Sequence, residues 1–179
     1  IDVDFEEEAL HAVAARAIQE KTGARGLMTV LESSLRSFKF HLPGTKVHQL
    51  VIHRDVIENT ESALKAVIAD PDRAAAEFAA TEVRRFEREF EELEGVKLAL
   101  DDSSMAMAAA VARELHLSIP DYLLTVFGSH AELLKRMQAE TGLKELTVTP
   151  RVLNRPEDGP EVWGEQARKD PAAARGRAS

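Results

Sequence analysis

Leu27-Met28-Thr29-Val30-Leu31-Glu32-Ser33 matches Leu123-Leu124-Thr125-Val126-Phe127-Gly128-Ser129, which lies 96 positions further along the chain. The same offset aligns residues 22–57 with residues 118–153 without a gap, including an apolar, strand-like segment near the end of each. Chance supplies single matches, but it rarely supplies the same order, spacing and polarity over such a length. The chain is therefore predicted to contain two copies of one structural unit.

Each copy is predicted to contain a strand, two helices and a second strand. In the first copy, apolar periodicity predicts strands over residues 3–5 and 47–53 and helices over residues 5–20 and 23–41, the first helix being capped by Asp4. In the second copy, strands are predicted over residues 96–100 and 145–149, and helices from Asp101 or Asp102 to residue 115 and over residues 119–140. A helix-rich α+β fold is expected, with the helices of each copy packed on a small sheet.

The predicted domain organisation has four parts. The first copy covers residues 1–58, a helical linker residues 59–71, the second copy residues 72–153, and a flexible tail residues 154–179. Apolar residues in steps of four and three, at Ala79, Val83, Phe86, Phe90 and Leu93, predict a helix that covers the core of the second copy or, alternatively, binds a coiled-coil partner. In the tail, Trp163 either packs back onto the second copy or anchors a partner.

The start of the second helix carries an unusual charge. In Lys21-Thr22-Gly23-Ala24-Arg25-Gly26-Leu27, Thr22 is the predicted N-cap, which places Arg25 in the first helical turn. A cation there is unfavourable by a few tenths of a kcal/mol, whereas anions are favoured and arginine offers two parallel donors to phosphate. Gly23, Ala24 and Arg25 are therefore a candidate phosphate site, and the alternative is that Arg25 is a solvated surface residue of little energetic consequence.

The second copy differs at this position, because Asp121 stands where the first copy has Arg25. Ser118 is a good N-cap, Pro120 suits the first turn, and an acid at the third position favours a helix start. A carboxylate there would repel phosphate. The second copy is therefore predicted to be structural or protein-binding, without a nucleotide contact.

Three stretches resemble the C-terminal small domain of ClpX-type AAA+ unfoldases: Asp4-Phe5-Glu6-Glu7-Glu8-Ala9-Leu10, the Lys21–Leu27 stretch quoted above, and Leu42-Pro43. In that family a Gly-Ala-Arg-Gly-Leu turn carries a second sensor arginine that touches the phosphates of the bound nucleotide. The resemblance implies that Arg25, with Gly23 and Ala24, contacts ATP. Residues 90–98 are similar to the helix-then-strand step that leads into this small domain, which implies that the second copy is a degenerate small domain.

The resemblance also implies a setting for the chain. The intact protein would be a cytoplasmic, ATP-dependent unfoldase subunit in a homo-oligomeric, hexameric ring, and its large domain, upstream of Ile1, would hold Mg and hydrolyse ATP. The implied partners are that large domain, the neighbouring subunits, protein substrates and a Clp-type peptidase, and the chain is expected to be a fragment. The alternative is a noncatalytic interaction or adaptor module built from duplicated small domains, in which Arg25 is a relic.

Composition and missing motifs narrow the function classes. The 179 residues contain no cysteine, which excludes disulfides and thiolate metal sites, and the net charge of −8 argues against nucleic-acid binding. No segment of the sequence is long and apolar enough to span a membrane. The sequence also contains no phosphate-binding Gly-rich loop that ends in Lys and Ser or Thr, so the chain is predicted to contain no catalytic residue. His48 and His53 are expected on opposite faces of a strand, and Ser129 and His130 are expected to point apart. Neither a metal site nor a nucleophile–base pair is therefore predicted.

Overall fold

The computed structural model describes residues 1–19 and 24–169, which form ten helices and four short strands. The chain divides into two compact units, unit 1 over Ile1–Phe78 and unit 2 over Ala79–Ser179. The boundary between the units falls inside one long helix, Pro71–Glu94. No helix among the described residues combines the length and the apolar character that crossing a membrane requires.

Unit 1 is built around a two-stranded parallel sheet. Its elements are β1 (Asp2–Phe5), α1 (Glu7–Gln19), α2 (Ala24–His41), β2 (Gln49–Ile52), α3 (Arg54–Glu58), α4 (Thr60–Ala69) and the first turns of α5 (Pro71–Glu94). β1 pairs with β2 so that Phe5 lies opposite Ile52. Parallel pairing needs a long crossover between the strands, and the helices α1 and α2 supply it.

Unit 2 has the same arrangement around a second parallel sheet. After the rest of α5 it contains β3 (Leu98–Leu100), α6 (Asp102–Leu115), α7 (Ile119–Phe127), α8 (Ala131–Thr141), β4 (Leu146–Val148), α9 (Pro150–Asn154) and α10 (Gly159–Lys169). Short 3₁₀ turns cover Gly128–His130 and Pro156–Asp158. β3 pairs with β4 so that Leu100 lies opposite Val148.

The two units correspond in detail at the sheet. The Glu6 N–H donates to the Ile52 carbonyl at 3.1 Å, and in unit 2 the Asp101 N–H donates to the Val148 carbonyl at 3.1 Å. The short helix after the second strand begins and ends 96 positions later in unit 2 than in unit 1. The predicted helix-rich α+β class is confirmed, and the sheets are two small parallel pairs.

Two local predictions are wrong. The helix predicted over residues 119–140 is divided by the 3₁₀ turn at Gly128–His130. Gly128 stands where the first copy has Glu32, and a glycine inside a helix costs about 1 kcal/mol relative to alanine. Asp4 does not cap α1, because β1 continues through Phe5 and α1 begins only at Glu7. The Asp4 Oδ1 instead accepts the Phe5 N–H at 2.9 Å.

The segments predicted as linker and tail are packed in the described part of the chain. α4 buries Ala63 and Leu64 in the core of unit 1, so residues 59–71 lie within that unit. The expectation of a flexible tail is wrong for Gly159–Lys169, which is helix α10. Gly159, Trp163 and Ala167 follow one another at helical spacing of four and are all buried. Residues 170–179, the rest of that predicted tail, lie outside the described residues.

Each unit has its own apolar core. The helix predicted to cover the core of the second copy does so, because Ala79, Val83, Phe86 and Phe90 are buried in unit 2, whereas Leu93 is exposed. The ring of Phe86 lies 5.3 Å from that of Phe90 and 6.4 Å from that of Phe127. Trp163 is fully buried in the same core, which confirms its predicted packing onto the second copy.

Candidate functional site

The start of α2 exposes the predicted sensor arginine. α2 begins at Ala24, so Arg25 is its second residue, and the Arg25 side chain is exposed whereas Gly26 is buried. The first turn of α2 contains no acidic residue, and Arg25 forms no ion pair within the described ranges 1–19 and 24–169. Thr22 and Gly23, the predicted cap and first contact residue, lie outside the described residues, and of Ala24 only the helical backbone is described.

The corresponding start of α7 is closed by its own side chains. The Ser118 Oγ accepts the Asp121 N–H at 3.1 Å and donates its proton to the Asp121 Oδ2 at 2.6 Å. Pro120 lies in the first turn, as the sequence predicts. The predicted Ser118 cap is therefore confirmed, and the helix end of unit 2 already has a carboxylate beside its positive dipole.

The chemical consequence is a difference in charge between two equivalent helix starts. At α2, the positive end of the helix dipole and the Arg25 guanidinium both favour an anion. At α7, the Asp121 carboxylate occupies that position and would repel one. Among the described residues of the two helix starts, those of α2 carry the charge that favours a phosphate group, and those of α7 do not.

A second cluster of charged groups lies at the carboxyl edge of the unit 1 sheet. Glu6 follows β1 and His53 follows β2, so the parallel pairing brings them together. The His53 Nδ1 lies 2.8 Å from the Glu6 Oε2, and the His53 Nε2 lies 3.2 Å from the Glu77 Oε1 of α5. In unit 2 the corresponding residues, Asp101 and Thr149, both serve as N-caps.

The surroundings of His53 favour its charged form. Burial works against the imidazolium, but the hydrogen bond to Glu6 and the charge of Glu77 outweigh it, so the pKa of His53 is raised above its ordinary value of 6.5. His53 also lines a cavity of about 150 Å³ within unit 1, whose other charged lining residues are Asp55, Asp70, Arg73 and Glu77. Sequence reasoning treated His53 as a strand residue and missed this cluster. The sequence signal that could have found the cluster is that Glu6 and His53 each directly follow a strand. When two such strands are parallel, the residues that follow them lie at the same edge of the sheet.

The remaining histidine predictions have mixed outcomes. His53 lies after β2 as the residue before α3, so the expectation that it shares a strand with His48 is wrong. No group of three metal-binding side chains is found in the described residues. Ser129 and His130 do not point apart, since the Ser129 Oγ lies 3.1 Å from the His130 Nδ1. That nitrogen also lies 2.9 Å from the Val126 carbonyl, to which it can only donate, so it cannot serve as a base toward Ser129.

Comparison with known proteins shows that part of the chain is similar to the ATP-binding subunits of an ATP-dependent protease. The subunit that these relatives represent is ClpX. The chain is 38% identical over 61 residues to the ATP-dependent Clp protease ATP-binding subunit ClpX of Borrelia duttonii, a match that covers 34% of this chain and 14% of that protein. It is 33% identical over 75 residues to the ClpX subunit of Treponema denticola, covering 41% of this chain and 18% of the relative.

A third relative extends the similarity. The chain is 34% identical over 84 residues to ClpX 3 of Methylococcus capsulatus, covering 46% of this chain and 19% of that protein. The chain thus spans 14–19% of the length of these curated relatives. No protein-family model and no solved structure matches the chain. The similarity therefore connects one region of this chain with one region of ClpX.

Proposed function

We propose that this chain is a region of a ClpX-related protein unfoldase subunit, in which unit 1 is an AAA+ small domain that senses bound ATP. The observation that carries the proposal is the exposed Arg25 in the acid-free first turn of α2, in a chain with 33–38% identity to ClpX subunits over 61–75 residues. Neither part suffices alone, because a surface arginine is common and a partial similarity defines no residue role. Together they support the proposal that Arg25 contacts bound ATP.

In this proposal Arg25 binds the β- and γ-phosphates of ATP together with the backbone at Ala24 and Gly23. A guanidinium placed there stabilises the charge that develops during phosphoryl transfer, and it links the state of the nucleotide to the position of the small domain. Mg and the hydrolytic groups belong to a large domain of the longer protein. The chain itself is a sensing and assembly region without catalytic residues.

The wider setting follows from the same similarity. The longer protein would work in the cytoplasm as a homo-oligomeric ring, a hexamer, in which unit 1 contacts its own large domain and that of a neighbouring subunit. Protein substrates and a Clp-type peptidase would be the further partners. Unit 2, whose helix start is closed by Ser118 and Asp121, would be a degenerate small domain that contributes protein contacts and no nucleotide contact.

The experiment is a titration of the chain with ATP while backbone amide NMR signals are recorded. Binding should be weak, because one arginine and one helix end make few of the contacts that a triphosphate requires. The shifts should centre on residues 24–26 and vanish in Arg25→Ala, and signals of residues 118–121 should not move. Shifts centred on α7, or ATP turnover that survives Arg25→Ala, would contradict the proposal.

A second candidate function, a noncatalytic interaction module, is favoured by one observation. Met28 of α2 and Leu124 of α7 are equivalent by the offset of 96, and both are exposed, by 59% and 48%. Apolar side chains kept at the same surface position of both units suit protein contacts. This function would be supported if Met28→Ser with Leu124→Ser prevents assembly of the longer protein while Arg25→Ala leaves both assembly and ATP hydrolysis unchanged.

A further inference from the structure

Both ring nitrogens of His53 face carboxylates. The Nδ1 lies 2.8 Å from the Glu6 Oε2, and the Nε2 lies 3.2 Å from the Glu77 Oε1. A carboxylate offers only acceptors, and a neutral imidazole carries one N–H, so a neutral ring can donate to only one of the two. The imidazolium carries a proton on each nitrogen and can serve both. The observed arrangement is therefore that of the charged ring.

The two contacts differ in length and in what they connect. The shorter contact, with Glu6, joins the ends of the paired strands β1 and β2. The longer contact joins this sheet edge to Glu77 in α5, and the Nε2 that makes it is buried without an aligned hydrogen bond to any described residue. After loss of one proton, the ring is expected to keep the Nδ1 proton for Glu6. The buried Nε2 lone pair would then face the Glu77 carboxylate, which is unfavourable.

The other charged groups around His53 leave its surroundings negative. Apart from Glu77, the charged residues that line the cavity beside the ring are Asp55 of α3, Asp70 at the end of α4 and Arg73 of α5. With Glu6 and Glu77, the described neighbours are thus four acids and one base. Arg54, the next residue in the chain, pairs with Glu58 at 2.7 Å. The imidazolium is therefore favoured by its surroundings on every side.

The part of α5 that His53 contacts has little apolar anchorage of its own. Residues 71–78 belong to unit 1, and the buried side chains among them are Ala74 and Phe78. Neither side chain is part of the apolar core of unit 1. Segments with few buried apolar contacts open at a lower free energy than the core does. The charge of His53 thus bears on a segment that opens more easily than the core.

We propose that the Glu6–His53–Glu77 cluster is a pH-dependent switch that holds the first turns of α5 on unit 1. With His53 protonated, the ring bridges the sheet edge and α5, and residues 71–78 stay in place. When the ring loses a proton it keeps Glu6 and loses Glu77, so residues 71–78 are released and the cavity of about 150 Å³ opens. Unit 2 has Thr149 at the position of His53, and a threonine does not change charge.

The experiment measures amide hydrogen exchange of the full chain by NMR from about pH 5.5 to about pH 8.5, around the ordinary pKa of histidine. Each rate is divided by the intrinsic rate at the same pH. Residues 75–78 should lose protection as the pH rises from 6.5 through the higher folded-state pKa of His53, about tenfold for each unit by which that pKa is raised. The buried Val13 and Val30 should stay more protected at every pH, because release of the segment leaves the core in place.

Two variants separate the switch from a general effect of charge on α5. Glu77→Gln keeps the size of the side chain and removes its charge, so residues 75–78 should be less protected at low pH and their protection should no longer depend on pH. The ring signals of His53 should titrate at a lower pH in this variant. Asp72→Asn is the matched control, because it removes an acid from the same turns at an exposed position outside the cavity lining, and it should keep the decline.

Three results would overturn the proposal. The first is protection of residues 75–78 that does not change with pH in the unmodified chain, and the second is the same decline in Glu77→Gln. The third is equal protection of residues 75–78 and of Val13 and Val30 at every pH, since the segment would then open only with the whole unit. A decline that is present in Asp72→Asn and absent from Glu77→Gln supports the proposal.

Discussion

Trp163 of α10 donates its indole N–H to the Thr147 carbonyl of β4 at 2.9 Å. The Thr147 N–H in turn donates to the Gln166 side-chain oxygen at 3.3 Å. Both backbone groups of the central β4 residue are therefore bonded by side chains of one helix. Unpaired edge strands invite pairing with other chains, so α10 protects the outer edge of a sheet that has only two strands.

The position of Trp163 depends on a glycine one turn earlier. A Cβ on Gly159 would overlap the Trp163 ring, whereas a Cβ on Gly164 in the same helix would meet nothing within 4 Å. Gly159→Ala should lower the free energy of unfolding of unit 2 by about 1–3 kcal/mol through overpacking. The matched variant Gly164→Ala should raise it by up to about 1 kcal/mol, because alanine favours a helix. Hydrogen exchange of core amides in unit 2 measures both, and equal effects would contradict the packing account.

The equivalent helix starts should respond differently to mutation. Ser118→Ala removes the N-cap of α7 and should cost about 1 kcal/mol of unit 2 stability. Arg25→Ala removes a cation from the first turn of α2 and should leave unit 1 as stable or a few tenths of a kcal/mol more stable. Hydrogen exchange at Leu123 and Val30, both buried, reports each unit separately. A marked loss of unit 1 stability in Arg25→Ala would show that Arg25 is structural.

His53 should make the stability of unit 1 depend on pH. Because the folded-state pKa of His53 is raised, its contribution is fully present below its ordinary pKa of 6.5 and is lost as the pH rises through the higher folded-state value. His53→Gln should remove this decline, which urea unfolding over that pH range measures. His48→Gln, at an exposed position just before β2, is the control and should keep the decline. The same decline in both variants would exclude the Glu6–His53–Glu77 cluster as its cause.

The repeat made most of the architecture predictable. Helical and strand periodicities identify the residues that face the core, and each copy supports the secondary structure predicted for the other. The strands of both sheets and the main helices could therefore be predicted from the sequence. The strands β2, β3 and β4 proved shorter than predicted, because only three or four residues of each find a partner, whereas β1 is one residue longer than predicted. The short helices α3 and α9 escaped prediction because five residues are too few to show a helical period.

Other features were hidden by competing signals. Pro156, Gly159 and Pro160 look like loop residues, yet proline is tolerated in the first turn of a helix, and α10 begins there. The site was predictable only in part. Arg25 is recognisable because its charge conflicts with its position in the helix, whereas the contact of His53 with Glu77 depends on how α5 packs beside the sheet, which no local pattern reveals.

The measurement that bears most directly on the proposed role is the rate of ATP hydrolysis by the proposed ring of the longer protein when it carries Arg25→Ala. An arginine that contacts the transferring phosphate can contribute on the order of a thousandfold, and a sensor that mainly couples motion contributes less. Arg25→Ala should therefore slow hydrolysis and protein unfolding while the fold of unit 1 is kept, and Arg25→Lys should restore only part, because lysine lacks the bidentate geometry. Asp121→Ala is the control at the equivalent position and should leave hydrolysis unchanged. Unchanged hydrolysis in Arg25→Ala would contradict the assignment of Arg25 as the residue that senses ATP.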